Sequence, residues 1–513
     1  MNRAKIAIYN TIIVIISSIV QMSFMLIRTK LIITNYGKDI NGLIQTITQI
    51  QTYLLLLESG ICSAYLYRMY KPISIGDNLE VSSLFKGFSL SIKKIAIKMM
   101  LVSIIISIIL PVIINNGSID NKKIIFISLL MCSRFVIPYF YSIVPQYMLN
   151  LKELKYKTEI ILFLRESLTY LLEILLIIKG YNILSILLIG IIVNSIFTFI
   201  FRFIMKHVYK ESINYNAKIN LEPNSMTNDI LVHQVSRLVF NSTDNIILSA
   251  FTSLNNVGIY SSYNMIVSNV ITIMNKIIEG TRSSLSIKIN KKDENSFNIF
   301  KQILSLSLFF ANIICCVFII MINKFIYLWL GKDFLLNIGC VILFGVIIHQ
   351  NIILPVSNIA KDAKGLFKES KWYTVLQTVI NLLLSLMLVK KFGILGVLFG
   401  TVTARGVITL PCNYYLVYKK VFEKKIEIMQ FVYSVVFIIF SIISSQIISN
   451  KVISINNYNW ISFVSETCII SIYIIITCFI WMCYTNKEFR ILTVKVKNQI
   501  YKYINRWGNN NLI

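Results

Sequence analysis

From end to end, the chain alternates apolar runs of about 20 residues with short polar or basic gaps. A helical run of that length spans the ~30 Å hydrocarbon core of a bilayer at ~1.5 Å per residue. The pattern predicts fourteen spans, at 7–34, 41–67, 95–115, 124–148, 159–178, 182–201, 229–254, 257–281, 302–323, 335–358, 372–389, 394–418, 429–449 and 460–484. The gaps between them are too short to hold a soluble domain. The first run is longer than a secretory apolar region and lacks a small-residue cleavage site, so it reads as a retained span.

Polar residues inside the runs fall in register. In span 1, Asn10, Ser17, Gln21 and Arg28 lie within about 40° of one another at 100° per residue. In span 7, His233, Arg237, Asn241 and Asp244 make a stripe about 80° wide. Gln45, Thr48 and Thr52 share a face of span 2. In span 8, Ser261, Asn264 and Ser268 do the same, extended by Thr272, Asn275 and Glu279. Such stripes often join membrane helices by hydrogen bonds, and for the hydroxyls that reading stays open. An ionised group near the bilayer centre costs roughly 2.5–3.5 kcal/mol on insertion scales, so it normally faces water or a counter-charge. Stripes bearing Arg28, Arg237, Asp244 and Glu279 are therefore expected to face a hydrated chamber. Arg28 and Asp244 are expected to lie close enough to pair.

Composition places the chain among integral membrane proteins: 56% of residues are hydrophobic, only 14% charged, and mean hydropathy is +0.71. The net charge of +27 is distributed unevenly. With the N-terminus inside, inner segments hold 34 Lys and Arg (counting Lys98 at the start of span 3), outer loops nine, and the spans seven. That split predicts an even number of spans and two cytoplasmic termini. The basic excess then meets anionic inner-leaflet lipid, and nucleic acid is excluded as a partner. The tail KEFRILTVKVKNQIYKYINRW alternates basic and apolar residues, and reads either as an interfacial segment or as a solvated one. Nine cysteines lie in apolar segments without a C-x-x-C pair, so neither metal nor disulfide is expected.

The chain also repeats itself. Pro145 and Pro355 each end a span ahead of a basic inner loop, 210 residues apart. IIKGYNILSILLIG resembles LVKKFGILGVLFG, with Lys179 on Lys390 and Ile183 on Ile394, at an offset of 211. Spans 1 and 2 recur as spans 7 and 8 at an offset of 216, which sets Gly42 on Gly258, Ser17 on His233, Gln21 on Arg237 and Arg28 on Asp244. Parallel repeats of this kind place a transporter's site at their interface. The expected organisation is an N-terminal six-helix bundle (1–210), a cytoplasmic linker (211–228), a second six-helix bundle (229–420), two extra transmembrane helices (421–485) and a basic cytoplasmic tail (486–513).

Past the first residue of each of spans 1–12, and with Lys98 counted in its inner loop, seven cations (Arg28, Lys30, Arg134, Arg165, Arg237, Lys276, Arg405) face five carboxylates (Glu58, Glu166, Glu173, Asp244, Glu279). Arg165 with Glu166, and Lys276 with Glu279, read as local pairs. The excess suits an anionic ligand, since guanidinium holds phosphate oxygens through forked hydrogen bonds. Glu58, Asp244 and Glu279 are candidates for proton or sodium coupling, because a carboxylate in low dielectric titrates nearer neutrality. No nucleophile–base pair, metal cluster or phosphate loop is present, and of three histidines only His233 is on a stripe. The chain therefore reads as a non-enzyme with no cofactor. A membrane-embedded polysaccharide polymerase or ligase, the rival from another class, resembles chains with a large catalytic outer loop.

The stretch LIITNYGKDINGLIQTITQIQTYLLLLESGI, then SAYLYRMYKPIS, and later STDNIILSAFTSLNNVGIYSSYNMI, resembles the bacterial polysaccharide flippases. These are the O-antigen and capsule repeat-unit exporters of the multidrug/oligosaccharidyl-lipid/polysaccharide (MOP) superfamily. The resemblance covers spans 1–12, and spans 13–14 fit its fourteen-span members. It implies an all-α, MATE-like V of two six-helix bundles around a cationic cavity in the bacterial cytoplasmic membrane. It further implies alternating access, a lipid-linked oligosaccharide (undecaprenyl pyrophosphate) flipped from inner to outer leaflet, and polysaccharide-assembly proteins as partners. Ser242–Asp244 carry the closest motif match, and Arg28 carries over as a charge in the first span. A lipid II flippase and a multidrug exporter of the same superfamily remain alternatives.

Overall fold

The structure, a computed structural model, describes residues 3–58, 61–114, 119–151, 155–209, 228–452, 459–495 and 497–498. Most of the 211–228 linker and the tail beyond 498 lie outside these. The described residues form helices and no strand, and every predicted span coincides with a helix or a broken one. Span 1 is α1 (Arg3–Tyr36); span 2 is α2 (Lys38–Leu54), a 3-10 turn (Leu55–Leu57) and α3 (Ile61–Ile75). Spans 3 to 6 are α4 (Asn78–Ile113), α5 (Asn121–Tyr141) with α6 (Ile143–Leu151), α7 (Lys155–Ile178) and α8 (Ile183–Val208). Span 7 is α9 (Asn228–Ser242) with α10 (Asp244–Phe251), and span 8 is α11 (Leu254–Glu279), followed by the short α12 (Arg282–Asn290). Spans 9 to 11 are α13 (Ser296–Leu330), α14 (Ile338–Ala363) and α15 (Phe367–Phe392). Span 12 joins α16 (Ile394–Ala404) and α17 (Leu410–Leu416) through a π-helical turn at Arg405–Thr409 and ends in a second at Val417–Val421. Spans 13 and 14 are α18 (Met429–Val452) and α19 (Trp460–Thr485), and residues 487–495 of the tail are helical.

Eight of these helical segments are long and apolar enough, by length and composition among the described residues, to cross a membrane. The described spans that miss this mark include those with most of the intramembrane charge: α2–α3, α7, α9–α10 and α11. The same polar residues that lower hydropathy also interrupt two of them, at Glu58 and at Thr243. The repeat-related prolines differ locally. Pro145 sits in the first turn of α6, where its missing N–H costs nothing, whereas Pro355 lies inside α14.

Packing divides the chain into two compact units, Met1–Ser262 with Thr374–Gly400, and Tyr263–Tyr373 with Thr401–Ile513. The units divide the chain differently from the sequence repeats, since span 7 and most of α15 fall in the first. That unit has an apolar core of α1, α2, α4, α5 and α8, with Ile32, Leu43, Ile47, Phe88, Ile124 and Ile186 buried. In the second unit, α13 and α14 pack closely where Gly345 lies against Ile319. The extra helix α19 is tied to α13 by an ion pair from Lys324 to Glu466, a carboxylate only 1% exposed. Phe489 of the helical tail is buried against Phe309 and Phe479, so the tail starts out docked on this unit.

Candidate functional site

Two polar centres lie inside the first unit. The first begins with α7, where Glu166, Tyr170 and Glu173 are spaced four and three apart and so share a face. Glu173 is wholly buried and takes two guanidinium groups: Arg28 of α1 through Nε, and Arg134 of α5 through Nη1 at 2.7 Å. Arg134 also lies 3.9 Å from Glu166, which holds Arg165 at 2.5 Å. The Arg28 guanidinium lies 5.9 Å from the centroid of the Tyr170 ring. Gly190 of α8 makes room for Arg134, because a Cβ there would come within 2.7 Å of its Nη1. Three guanidiniums against two carboxylates leave a net positive charge among apolar helices. Mutual pairing offsets the several kcal/mol that desolvating each ion costs.

The second centre is the break in span 7. Asp244 opens α10, where the unpaired N–H groups of a helix start favour a carboxylate. It is 7% exposed, and its Oδ2 accepts a 2.7 Å hydrogen bond from the Tyr260 hydroxyl of α11. The next backbone N–H, of Asn245, donates to Gln49 Oε1 of α2 at 2.8 Å, and Tyr53 is within electrostatic reach of Asp244. The helices approach closely because Gly42 and Gly258 meet at one crossing. A Cβ on Gly42 would lie 2.0 Å from the Leu254 carbonyl oxygen, and one on Gly258 would lie 2.9 Å from that of Lys38. The two glycines matched by the repeat are thus in contact.

The remaining candidates distribute as follows. Arg28 pairs with Glu173, so the direct Arg28–Asp244 pair expected from the repeat is not formed: α1 turns its guanidinium toward α7. His233 Nδ1 is 3.2 Å from Thr374 Oγ1, and Thr378 and Asn381 of α15 reach carbonyls of α9, so this side of the stripe joins helices. Arg237, Asn241 and Thr48 are exposed; Ser17, Gln21, Gln45 and Thr52 are half-buried. The hydroxyls of Thr48, Thr52, Ser261 and Ser268 bond carbonyls of their own helices. In the second unit, Asn264 and Asn275 are half-buried and Ser268 is exposed. Glu279 pairs with Arg282 at 2.5 Å, and Arg282 bridges to Asp362 at 3.2 Å. The partner assigned to Glu279 from sequence, Lys276, is thus replaced by a residue one turn beyond the helix. Hydrogen bonding to Glu279 raises the Arg282 pKa above its ordinary value. Glu58, at the span 2 break, accepts from the Tyr139 hydroxyl at 2.6 Å and the Cys62 thiol at 2.8 Å.

Sequence reasoning missed Gln49, Tyr260 and the role of Glu173. Gln49 is one residue past Thr48, off the face chosen for span 2. Tyr260 was one aromatic among 27 tyrosines, with no local signal to single it out. Glu173 was visible as one of the carboxylates of span 5, but nothing local names its partners, 145 and 39 residues away.

No family model and no curated protein sequence matches the chain. Solved structures do. A lipid II flippase, MurJ, in an inward closed conformation superposes with a TM-score of 0.66 at 16% identity, over 92% of this chain and 98% of that one. An inward-facing MATE multidrug resistance transporter of the MOP superfamily does so with a TM-score of 0.58 at 12% identity, over 82% and 98%. A MATE structure in complex with MaD3S gives 0.53 at 14% identity, over 81% and 96%. The chain therefore shares the all-helical fold of that flippase and of the MATE proteins.

Proposed function

We propose that this protein is a flippase that turns polyprenyl-pyrophosphate-linked oligosaccharide from the inner to the outer leaflet of the bacterial cytoplasmic membrane by alternating access, for surface polysaccharide synthesis. The observation that carries the reading is the Arg28–Glu173–Arg134 network, in which a transporter fold keeps a net positive charge in apolar surroundings. That charge suits a diphosphate, which guanidinium holds through paired hydrogen bonds, and opposes the organic cations of a drug exporter. The sugar head would travel among the Asn, Gln, Ser and Thr of the stripes while the polyprenyl tail stays in lipid, since polar groups cannot cross hydrocarbon unsolvated. The 34-to-nine division of basic residues orients the chain with both termini inside. A second reading, lipid II as the cargo, is favoured by the fold shared with a lipid II flippase; both cargoes carry the same polyprenyl pyrophosphate.

Asp244 and Glu58 are our choices for ion coupling, because each is held by a tyrosine hydroxyl inside a helix break. Glu279, exposed and paired with Arg282, is better suited to bridging. Asp244→Asn keeps the shape and removes the charge. It is expected to slow translocation of labelled lipid-linked oligosaccharide about tenfold in inverted vesicles, as loss of a charged hydrogen bond of ~1.5 kcal/mol implies, at unchanged abundance. Wild-type vesicles that leave the oligosaccharide in place but export cationic dyes would refute the flippase reading. A deletion that loses surface polysaccharide but keeps cell-wall synthesis separates the first cargo from lipid II.

A further inference from the structure

A cavity of about 320 Å3 opens in the first unit, away from both polar centres, between the N-terminal part of α4, the α5–α6 junction and the end of α8. Lys86 and Lys93, seven residues apart on one face of α4, and Arg202 of α8 line it, and no carboxylate does so among the described residues. The Lys93 ammonium and the Arg202 guanidinium each lie 5.8 Å from the centroid of one ring, Tyr141, so two like charges are gathered within twice that distance of each other. The back wall includes Tyr139, whose hydroxyl is engaged by Glu58.

The cavity's level in the membrane follows from the sequence. Lys93 and Lys94 immediately precede the apolar run of α4, and Arg202 follows that of α8, so the three elements meet where hydrocarbon gives way to headgroups. Isolated Lys, Arg and Tyr at that level would be an ordinary interfacial belt. A belt does not require cations from two helices to converge on a concavity. Lys93 and Arg202, gathered over one ring, repel unless an anion lies between them. An exposed leucine, Leu90, completes the rim on the same face of α4.

We infer that this cavity binds the phosphate of an anionic phospholipid headgroup, with Lys86, Lys93 and Arg202 as counter-charges, Tyr141 as a flat wall and Leu90 beside the acyl chain. The lining shares no residue with the Arg28 and Asp244 centres, and the lipid is distinct from the transported cargo.

The test uses the full chain in detergent, titrated with phosphatidylglycerol and read by native mass spectrometry and thermal shift. Phosphatidylcholine, inorganic phosphate and undecaprenyl pyrophosphate serve as separate arms. Phosphatidylglycerol is expected to bind in preference to phosphatidylcholine, and K93Q, R202Q and K86Q are each expected to weaken it about fivefold. The control K122Q/K123Q, at the far end of α5, is expected to leave binding intact. Should R202Q misfold, K93Q on its exposed side chain carries the test. Equal loss in the control, or no loss in K93Q and K86Q, would reduce the cavity to a belt and overturn the proposal. Inorganic phosphate that binds as well as the lipid would assign the site to a soluble anion. Displacement of phosphatidylglycerol by undecaprenyl pyrophosphate at equal concentration would assign it to the cargo.

Discussion

Glu173→Ala is expected to cost about 3–5 kcal/mol of stability, the loss seen when one partner of a buried ion pair is removed. The carboxylate is wholly buried and serves two guanidiniums, so its removal strands Arg28 and Arg134 together, with like charges among apolar helices. Against a typical domain stability of about 5–15 kcal/mol, this should remove much of the folded protein, visible as lower yield and earlier melting in detergent. The companion variant separates structure from function. Replacing Arg28, Arg134 and Glu173 all by Met removes every charge at once, and such exchanges are often neutral or stabilising. The triple variant should melt near wild type yet fail to translocate the proposed diphosphate-linked cargo. Wild-type melting of Glu173→Ala would show that the network does not hold α1, α5 and α7 together; wild-type transport in the triple variant would remove the network from the cargo path.

The second large effect is steric. Gly42→Ala would place a methyl 2.0 Å from the Leu254 carbonyl oxygen, and a backbone atom, unlike the end of a flexible side chain, cannot step aside. Overpacking commonly costs about 1–3 kcal/mol, and a collision with a helix start belongs at or above the top of that range. Gly258→Ala meets the Lys38 carbonyl oxygen at 2.9 Å and should be milder. The order expected in melting temperature is wild type, then Gly258→Ala, then Gly42→Ala, with the last also disturbing the Gln49–Asn245 contact two turns further along α2. Small residues at helix crossings are the usual means by which membrane helices approach closely. Equal melting of both variants and wild type would show that the crossing is looser than described.

The spans were legible because they depend on a local quantity. Whether about 20 successive residues can cross a bilayer is decided by their own transfer free energies, and each predicted span became a helix or a broken one. The breaks at Glu58 and Thr243 were foreshadowed by the polar residues there. The Gly42–Gly258 match was visible as a repeat, although that the two glycines touch was not. The STD at Ser242–Asp244 was visible as a motif, whereas its fixing by Tyr260 and Gln49 depends on helices brought together in space.

What the sequence by itself determined is therefore the class of molecule, the positions of its apolar spans, and the ionised residues embedded in them. Tertiary structure alone decided which of those charges meet: Arg28 with Glu173 and Arg134, Asp244 with Tyr260, His233 with Thr374. The physical reason is that lipid tails and helix interiors are equally apolar. In water, an apolar stripe tells a helix which way to face. In a bilayer, both sides of a helix can be apolar, so its rotation is set by a few polar contacts and close crossings with partners far away in the chain.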